Sequence, residues 1–220
     1  MNINYTNYFK DHYGAKFQDS DFLTQEKFLY AQFQFMLRKC HMSHLKDSKV
    51  LEIGSGLGTF GKILLDSGFS RYTGIELDKD IVEFTNRAIG EYFVNISVGE
   101  FVRETEDKYK IIFALEVLEH LENPIKEIEN IYYLLESGGV FVGTTPYPFE
   151  KNIQDNTHLF VLHPNNWKRL FYLAGFKRVS SYPMSFLPYI WRLNKHLNIR
   201  IPFYTSFKHF ISTSLIIAEK

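Results

Sequence analysis

The 220-residue chain has a single cysteine, Cys40, so it can form neither an internal disulfide nor a metal site built from several cysteines. Long apolar runs are also missing, since stretches such as 111–115 are far shorter than the roughly 20 residues that cross a bilayer. The opening residues, MNINYTNYFK, lack the basic and apolar regions of a secretory signal. Hydrophobic residues make up 45% of the chain, which excludes a disordered protein. We therefore expect a soluble, cytoplasmic domain without a membrane span.

Acidic residues are missing from one long stretch. The 25 Lys and Arg residues balance 25 Asp and Glu residues, yet no acid occurs between Asn156 and Ala218. Residues 1–155 carry a formal charge of −8 and residues 156–220 a charge of +8. Such a division predicts a basic surface that faces an anionic ligand, although chance can also produce it in a short tail rich in aromatic residues.

Short apolar strands alternate with helices over most of the chain. A helix with an acidic start and a basic end is predicted at 21–41, before the alternation begins. Strands are predicted at 50–53, 72–75, 93–98, 110–115, 140–144, 176–181 and 212–218. The helices between them are predicted at 59–65, 78–90, 123–137 and 164–174. This order predicts an α/β fold with a mostly parallel, doubly wound sheet.

The first predicted strand runs into a glycine loop, Gly54-Ser55-Gly56-Leu57-Gly58. Glycines at alternate positions let the backbone approach a ligand closely and turn sharply into a helix. A G-x-G-x-x-G match at Gly56, Gly58 and Gly61 would by itself favour a dinucleotide. Against that, a charged residue, Glu52, lies at the end of the strand before the first glycine, and the first glycines follow one another as G-x-G-x-G.

This loop, with Val50-Leu51-Glu52-Ile53 before it, resembles motif I of the class I S-adenosylmethionine-dependent methyltransferases. Four further segments are similar to the family, in the right order over residues 48–180: Gly74-Ile75-Glu76-Leu77-Asp78, Gly99-Glu100-Phe101, the motif IV-like run 109–120, and the run 135–146. The resemblance implies a Rossmann-like, seven-stranded sheet with an antiparallel last strand. It also implies S-adenosylmethionine as the cofactor, bound over the carboxyl ends of strands one, two and four.

The resemblance assigns roles to individual residues. The glycine loop would accommodate the methionine part, Glu76 would accept the ribose hydroxyl hydrogens, and Glu100 would accept from the adenine amine while Phe101 covers the ring. The full set of cofactor residues that the resemblance implies is Glu52, Gly54, Ser55, Gly56, Gly58, Glu76, Leu77, Gly99, Glu100, Phe101, Leu115 and Glu116.

The chain is accordingly expected to be one methyltransferase domain in four parts. An N-terminal helical segment at 1–47 precedes the cofactor-binding core at 48–181. An insertion at 182–211 would form a cap over the acceptor, and the last strand occupies 212–220.

Residues 116–120, Glu-Val-Leu-Glu-His, follow the fourth predicted strand. In a helical turn Glu116, Glu119 and His120 share one face, and such a set can hold a divalent cation. His158 is the candidate fourth ligand, because residues 157–164 resemble an element of the relatives of ubiquinone-biosynthesis O-methyltransferases. The E-x-x-E-H run with a later histidine also resembles the metal site of small-RNA 3′-end 2′-O-methyltransferases, but it is widespread in relatives with no assigned metal.

With or without a metal, His120 and His158 are the candidates for the catalytic base. Transfer of a methyl group to a hydroxyl is an in-line displacement, and the hydroxyl must lose its proton as it attacks. A histidine titrating near neutrality can take that proton.

The methyl acceptor is expected to be a small, anionic molecule. Arg192, Lys195, Arg200 and Lys208 lie in the insertion beside aromatic residues, and arginine can clamp phosphate with two hydrogen bonds. The expected function is O-methylation of a sugar, a nucleotide-linked or a phosphorylated metabolite in a bacterial pathway such as surface polysaccharide synthesis. The alternatives are a metal-assisted RNA 2′-O-methyltransferase, disfavoured because no dense basic run occurs, and a non-catalytic protein that binds S-adenosylmethionine.

Overall fold

The computed structural model describes residues 19–40, 42–187, 199–207 and 211–220. Its strands are β1 (Val50–Ile53), β2 (Tyr72–Glu76), β3 (Phe93–Asn95), β4 (Tyr109–Leu115), β5 (Leu135–Pro146), β6 (Arg178–Phe186), β7 (Arg200–Ile201) and β8 (Ile211–Glu219). Its α-helices are α1 (Asp19–Cys40), α2 (Thr59–Asp66), α3 (Lys79–Ala88), α4 (Val98–Glu104), α5 (Pro124–Leu134), α6 (Glu150–Ile153) and α7 (Pro164–Leu173).

All eight strands join one sheet in the order β3-β2-β1-β4-β5-β8-β6-β7. Strands β1 to β5 are parallel, and β8 runs antiparallel to both β5 and β6. The expected α/β fold, with a parallel core and an antiparallel last strand, is therefore confirmed. The strand number differs, because the two-residue strand β7 pairs with β6 and adds an eighth.

The third strand is shorter than predicted. We expected an extended segment over 93–98, but the strand ends at Asn95 and a helix begins at Val98. Ser97 caps this helix: its hydroxyl accepts from the Glu100 N–H, and the Glu100 carboxylate accepts from the Ser97 N–H. Such a capping box satisfies two helix-end donors at once, which ends the extended conformation.

The sheet buries an apolar layer on each face. Neighbouring residues of one strand belong to opposite layers: Val50 and Ile111 lie in one cluster, whereas Leu51 and Ile112 lie in the other. Successive strand residues point to opposite faces, so runs of consecutive apolar residues indicate a sheet covered on both sides. Helices α1, α2 and α3 cover one face, and α4, α5 and α7 cover the other.

Helix α1 packs its aromatic residues against α2 and the sheet. Phe33 is fully buried, with its ring centroid 5.8 Å from that of Phe60 and 6.2 Å from that of Phe69. This docking carries the middle of α1 toward the carboxyl ends of the parallel strands. No helix in the described part of the chain is long and apolar enough to span a membrane.

Strand β6 reaches further along the chain than expected. It continues past Ser181 to Phe186, pairing with β8 as far as Ile211. The first residues of the predicted cap, 182–186, are therefore part of the sheet. Residues 188–198 and 208–210 of that insertion lie outside the described residues.

Candidate active site

A cavity of about 900 Å³ opens where β1, β2 and β4 end. Residues from the glycine loop, from α1 and from the segments after β3, β4 and β5 meet around it. This is the edge of an open α/β sheet at which ligands bind, because the loops that follow parallel strands converge there. The cavity therefore lies at the edge of the sheet where the resemblance led us to expect the cofactor.

The glycine loop forms one wall of the cavity. Gly54, Gly56 and Gly58 have φ angles of 68°, 51° and 69°, a region in which residues with a side chain are strained. The Gly54 N–H donates to the Ile75 carbonyl at 2.9 Å, which ties the loop to β2. A Cβ on Gly54 would lie 2.6 Å from Val117 Cγ2, so the loop also packs against the segment after β4. Ser55 and Gly56 line the cavity, whereas Gly58 turns the chain into α2 outside its lining.

Glu76, the last residue of β2, joins this loop to its own strand. Its Oε2 accepts from the Gly56 N–H at 2.9 Å, and its Oε1 accepts from the Leu77 N–H at 2.7 Å. Burial raises the pKa of the carboxyl, and the hydrogen bond from Gly56 opposes that shift. The carboxylate is thus held in place inside the cavity and can accept further hydrogen bonds from ligand hydroxyls. Leu77, half exposed, lines the cavity beside it.

Glu52 is a second carboxyl in the same wall. It is buried, it lines the cavity, and its Oε2 accepts a hydrogen bond of 2.5 Å from the Tyr72 hydroxyl. Burial raises the pKa of Glu52 to about 8, the hydrogen bond from Tyr72 opposes this shift, and the charge of Glu76 adds to it.

The segment after β3 contributes different residues from those expected. Ile96, Ser97 and Val98 line the cavity. Gly99, Glu100 and Phe101, which the resemblance assigned to adenine, lie outside its lining: the Glu100 carboxylate is exposed and caps α4, and Phe101 is buried in the apolar layer beside Tyr109.

Glu127 is a carboxyl that our reading of the sequence missed. It lies in the first turn of α5, lines the cavity, and accepts from Asn130 Nδ2 through Oε2 at 2.9 Å. Its Oε1 lies on the side of α4, 3.6 Å from the position that a Cβ of Gly99 would take. Glu127 lies 26 residues after Phe101, the end of the segment that it faces, so no local sequence pattern indicates that the two are close.

Leu115 ends β4 and Glu116 follows it, and both line the cavity. Glu116 has a φ angle of 53°, and its backbone N–H donates to the Thr144 carbonyl at 3.0 Å. The residue is exposed to the cavity, and its carboxyl accepts from the Thr213 hydroxyl at 2.7 Å. Partial loss of water around the carboxyl raises the pKa of Glu116, and the hydrogen bond from Thr213 opposes this shift. A strained backbone conformation persists only where the surrounding contacts hold it. Here the hydrogen bonds to Thr144 of β5 and from Thr213 of β8 hold Glu116 in place.

His120 and His158 meet beside the cavity, with ring centroids 5.0 Å apart. His120 Nδ1 lies 2.8 Å from the Thr157 carbonyl oxygen, and His158 Nδ1 lies 2.8 Å from the Asn152 carbonyl oxygen. A carbonyl can only accept, so each Nδ1 carries the hydrogen and each neutral ring has its lone pair on Nε2. Of the two, His120 lines the cavity.

Glu119 completes a cluster with these histidines. One ligand atom from each of Glu119, His120 and His158 lies within 4.8 Å of the others, and Glu119 is fully buried. Burial raises its pKa well above the usual range, and the charge of Glu116 adds to the shift. The predicted helical turn over 116–120 is a shorter 3₁₀ turn at Leu118–His120, so Glu116 is outside this cluster and bonds to Thr213.

Helix α1 and the segment after β5 also line the cavity. Phe28, Leu29 and Gln32 come from α1, and Lys151 is the only lysine or arginine among the described residues that lines the cavity. Arg200 lies elsewhere: its guanidinium stacks over Phe35 and donates to the Pro183 carbonyl at 3.0 Å. The other cations that we expected there, Arg192, Lys195 and Lys208, lie outside the described residues.

Fold and site together define a class I S-adenosylmethionine-dependent methyltransferase. A family model described as a methyltransferase domain matches residues 25–181, and the chain belongs to that family. A solved S-adenosylmethionine-dependent methyltransferase from Archaeoglobus fulgidus superposes with a TM-score of 0.67 at 18% identity, covering 99% of this chain and 100% of that one. A Thermotoga maritima structure, described as a possible histamine N-methyltransferase, has a TM-score of 0.58 at 15% identity and covers 87% of this chain and 98% of that one.

Among curated proteins, the chain is similar to the ubiquinone biosynthesis O-methyltransferase of Coxiella burnetii. The two are 26% identical over 99 residues, which is 43% of this chain and 42% of that protein. The match therefore spans less than half the length of this relative.

The residues of the cavity fit S-adenosylmethionine, the cofactor of this class. A long, mostly polar ligand needs a wall that it can approach closely, and the backbone of the glycine loop offers one where a Cβ on Gly54 would collide. Glu76 offers acceptor oxygens that suit ribose hydroxyls, and Glu52 is a second carboxyl in the same lining. Ile96, Val98 and Leu77 add apolar side chains to the lining, which suit a flat ring such as adenine.

Proposed function

We propose that the protein transfers a methyl group from S-adenosylmethionine to a hydroxyl oxygen of a small, anionic acceptor. The observation that carries the proposal is the position of His120, which lines the cofactor cavity with its tautomer set by the Thr157 carbonyl. When bound, the cofactor supplies a methyl group on a positively charged sulfur, open to in-line displacement. Residues of this chain would take up the acceptor's proton and bind the acceptor.

His120 is the catalytic base in this proposal. Its Nδ1 donates to the Thr157 carbonyl, so the lone pair of Nε2 accepts the proton of the acceptor hydroxyl as that oxygen attacks. His158 lies behind it and is oriented in the same way by the Asn152 carbonyl. In this arrangement His158 limits the rotation of the His120 ring.

Lys151 supports an anionic acceptor. It lines the same cavity as His120, and a lysine there attracts a carboxylate or a phosphate. Phe28 and Leu29 of α1 offer an apolar wall to the rest of the acceptor. A sugar, a nucleotide-linked or a phosphorylated metabolite satisfies both features, and the finer proposal is a precursor of a bacterial surface polysaccharide.

A second role for the histidine cluster is to hold a divalent cation. Metal-binding histidines usually donate their other ring N–H to a carbonyl or carboxylate, as both histidines here do. Glu119 offers a buried carboxylate whose oxygens have no hydrogen bond of ordinary geometry within the described residues. Glu119, His120 and His158 would be the ligands, with Glu116 adjacent. A cation held by these residues would supply a Lewis acid that polarises the acceptor oxygen.

The test is transfer of labelled methyl from S-adenosylmethionine to three substrate pools: phosphorylated sugars and nucleotide-sugars, neutral sugars, and structured RNA. We expect label in the first pool, and loss of transfer in Glu76→Ala, which should also abolish binding of S-adenosylhomocysteine. Transfer to RNA alone would replace the proposal with the RNA alternative. Cofactor binding without transfer to any pool would favour a non-catalytic protein.

Lys151→Ala tests the anionic acceptor against Lys126→Ala, a matched control on the exposed face of α5. We expect KM for the acceptor to rise about tenfold in the first variant alone, with little change in kcat.

Exhaustive chelation followed by return of Mg²⁺, Mn²⁺ or Zn²⁺ tests whether the protein needs a divalent cation. Full activity after chelation would exclude a catalytic role for a cation.

A further inference from the structure

Helix α1 gives the cavity one buried polar side chain, the amide of Gln32. The residue is 2% exposed and lines the cavity together with Phe28 and Leu29 of the same helix. No hydrogen bond joins its amide to another residue in the described part of the chain. A buried amide that has lost water without gaining a partner costs free energy, so folding alone gives no reason to keep it. At a cavity wall, such an amide indicates a ligand that supplies the missing hydrogen bonds.

The face of α1 that carries Gln32 is turned toward β6 and β7. Phe28 lies four residues before Gln32 and Phe35 three residues after it, so the three share one side of the helix. The Phe28 ring lies edge-on to Phe186 of β6, with centroids 5.9 Å apart, and Arg200 of β7 stacks over Phe35. Strand β6 pairs there with the first residues of β8. Gln32 therefore lies on the side of the cavity that β6 and β8 border.

The polar side chains that β8 adds to the cavity lining, Ser212 and Thr213, already have partners inside the protein. The Ser212 oxygen accepts from the Thr205 N–H at 3.2 Å and lies 2.5 Å from the Ser185 oxygen. The Thr213 hydroxyl lies 2.7 Å from the Thr145 carbonyl oxygen. Of the polar groups that α1 and β8 give to the cavity, only the amide on α1 lacks a hydrogen bond within the described residues.

The residues that suit the cofactor belong to other walls. Ser55, whose buried hydroxyl also lacks a partner among the described residues, is part of the glycine loop, and Glu76 ends β2. A cofactor over the ends of β1, β2 and β4 passes both of them, whereas Gln32 comes from the side of β6 and β8. Since the methyl acceptor must enter the same cavity, it is the ligand that remains for Gln32.

We propose that Gln32 is a specificity-determining residue whose amide hydrogen-bonds a neutral polar group of the methyl acceptor, a sugar hydroxyl or an N-acetyl amide. The inference rests on the proposed function, which takes this cavity as the site of a small, anionic acceptor. A glutamine amide presents N–H donors and a carbonyl acceptor side by side, so it recognises a group that offers both. Lys151 attracts the charged part of the acceptor, and Gln32 selects its neutral part. An acceptor without such a group leaves the buried amide unpaired, and a polar site rejects apolar analogues in this way.

Calorimetry on the full chain, saturated with S-adenosylhomocysteine, tests the proposal with UDP, UDP-glucose and UDP-N-acetylglucosamine as probes. UDP carries the anionic part alone, and the two nucleotide-sugars add a neutral sugar without or with an acetamido group. We expect at least one nucleotide-sugar to bind about tenfold more tightly than UDP. The preference between the two nucleotide-sugars distinguishes a hydroxyl from an amide as the partner of Gln32.

Gln32→Met removes the amide and keeps the length of the side chain. In this variant the nucleotide-sugars and UDP should bind within about twofold of one another, because the hydrogen bonds to the sugar are gone. Affinity for S-adenosylhomocysteine should not change. The unfolding temperature should stay the same or rise, since the amide has no partner in the folded protein. Gln34→Met, on the same helix but outside the cavity lining, is the matched control and should equal the unmodified protein in every measurement.

Each contrary result has a distinct meaning. An unchanged preference for nucleotide-sugars over UDP in Gln32→Met would overturn the inference, and so would a lower unfolding temperature in that variant alone, which would show a structural role. Weaker binding of S-adenosylhomocysteine would assign the amide to the cofactor instead. If the unmodified protein binds none of the three probes, the inference fails, and the transfer of labelled methyl to the substrate pools decides separately whether the proposed function stands.

Discussion

The Nδ1 atom of His120 lies 2.8 Å from the carbonyl oxygen of Thr157, and this contact determines which ring nitrogen can take a proton. A carbonyl cannot donate, so the hydrogen of the neutral ring lies on Nδ1 and the lone pair on Nε2. Thr157 itself is held by Asp155, whose Oδ1 accepts from the Thr157 N–H at 3.0 Å. The segment after β5 thus sets the chemistry of a residue that follows β4.

His120→Asn should reduce methyl transfer by about 10²- to 10⁴-fold, because a positioned base contributes that much to proton transfer. Affinity for S-adenosylhomocysteine should stay within about twofold, since the cofactor contacts come from other residues. Transfer rates and calorimetry on the same preparation measure both effects. His44→Asn, an exposed histidine outside the cavity lining, is the matched control. Full activity in His120→Asn would exclude it as the base.

Glu127→Gln should weaken binding of S-adenosylhomocysteine by about fivefold, because a charged acceptor is replaced by a neutral one at the cavity wall. Glu100→Gln should leave the affinity unchanged, since this exposed carboxylate caps α4 and glutamine can serve in the same capping box. Calorimetry on the two variants provides the comparison. The reverse order of effects would restore Glu100 as the adenine contact.

Gly54→Ala should destabilise the protein by about 1–2 kcal/mol or more, because Gly54 is left-handed and a Cβ there would meet Val117. Cofactor affinity should fall as well, as the loop shifts. Gly99→Ala is the control: a Cβ there meets only ordinary contacts of 3.6 Å or longer, and the residue is outside the cavity lining. Thermal unfolding and calorimetry measure the two properties. Equal stability of the two variants would contradict the tight packing of the loop.

The buried carboxyl of Glu52 should make stability depend on pH. Its pKa is about 8 in the folded protein against an ordinary value of 4.5, so the unfolded chain ionises first as pH rises. The unfolded state then binds fewer protons, and the free energy of unfolding should fall between pH 4.5 and about 8 and level off above that. Glu52→Gln should lack this contribution, which is on the order of a few kcal/mol. Denaturant unfolding across this range measures the difference, and parallel curves for the two proteins would show that the pKa of Glu52 is not raised.

The parallel core was predictable because its signals are local. Strand β1 matches its predicted bounds, and α2 extends the prediction by one residue, since an apolar run followed by alternating glycines permits few other conformations. Glu76 was found by its position at the end of a strand. The helix at Val98 was missed although Ser97 and Glu100 form a capping box, a signal present in the chain. Strand β7 has no such signal, because two residues pair only when β6 is beside them.

The sequence by itself determined the class of fold, the glycine loop and the carboxyl at the end of β2, because each depends on periodicity or on conformations that only glycine adopts readily. Only the tertiary structure decided which side chains share the cavity. It placed Glu127 on the wall and Glu100 outside it, directed Arg200 onto Phe35, and brought Tyr72 to Glu52 across two strands. These relationships depend on how separate elements pack. The local sequence around one residue does not indicate which distant residue it will contact.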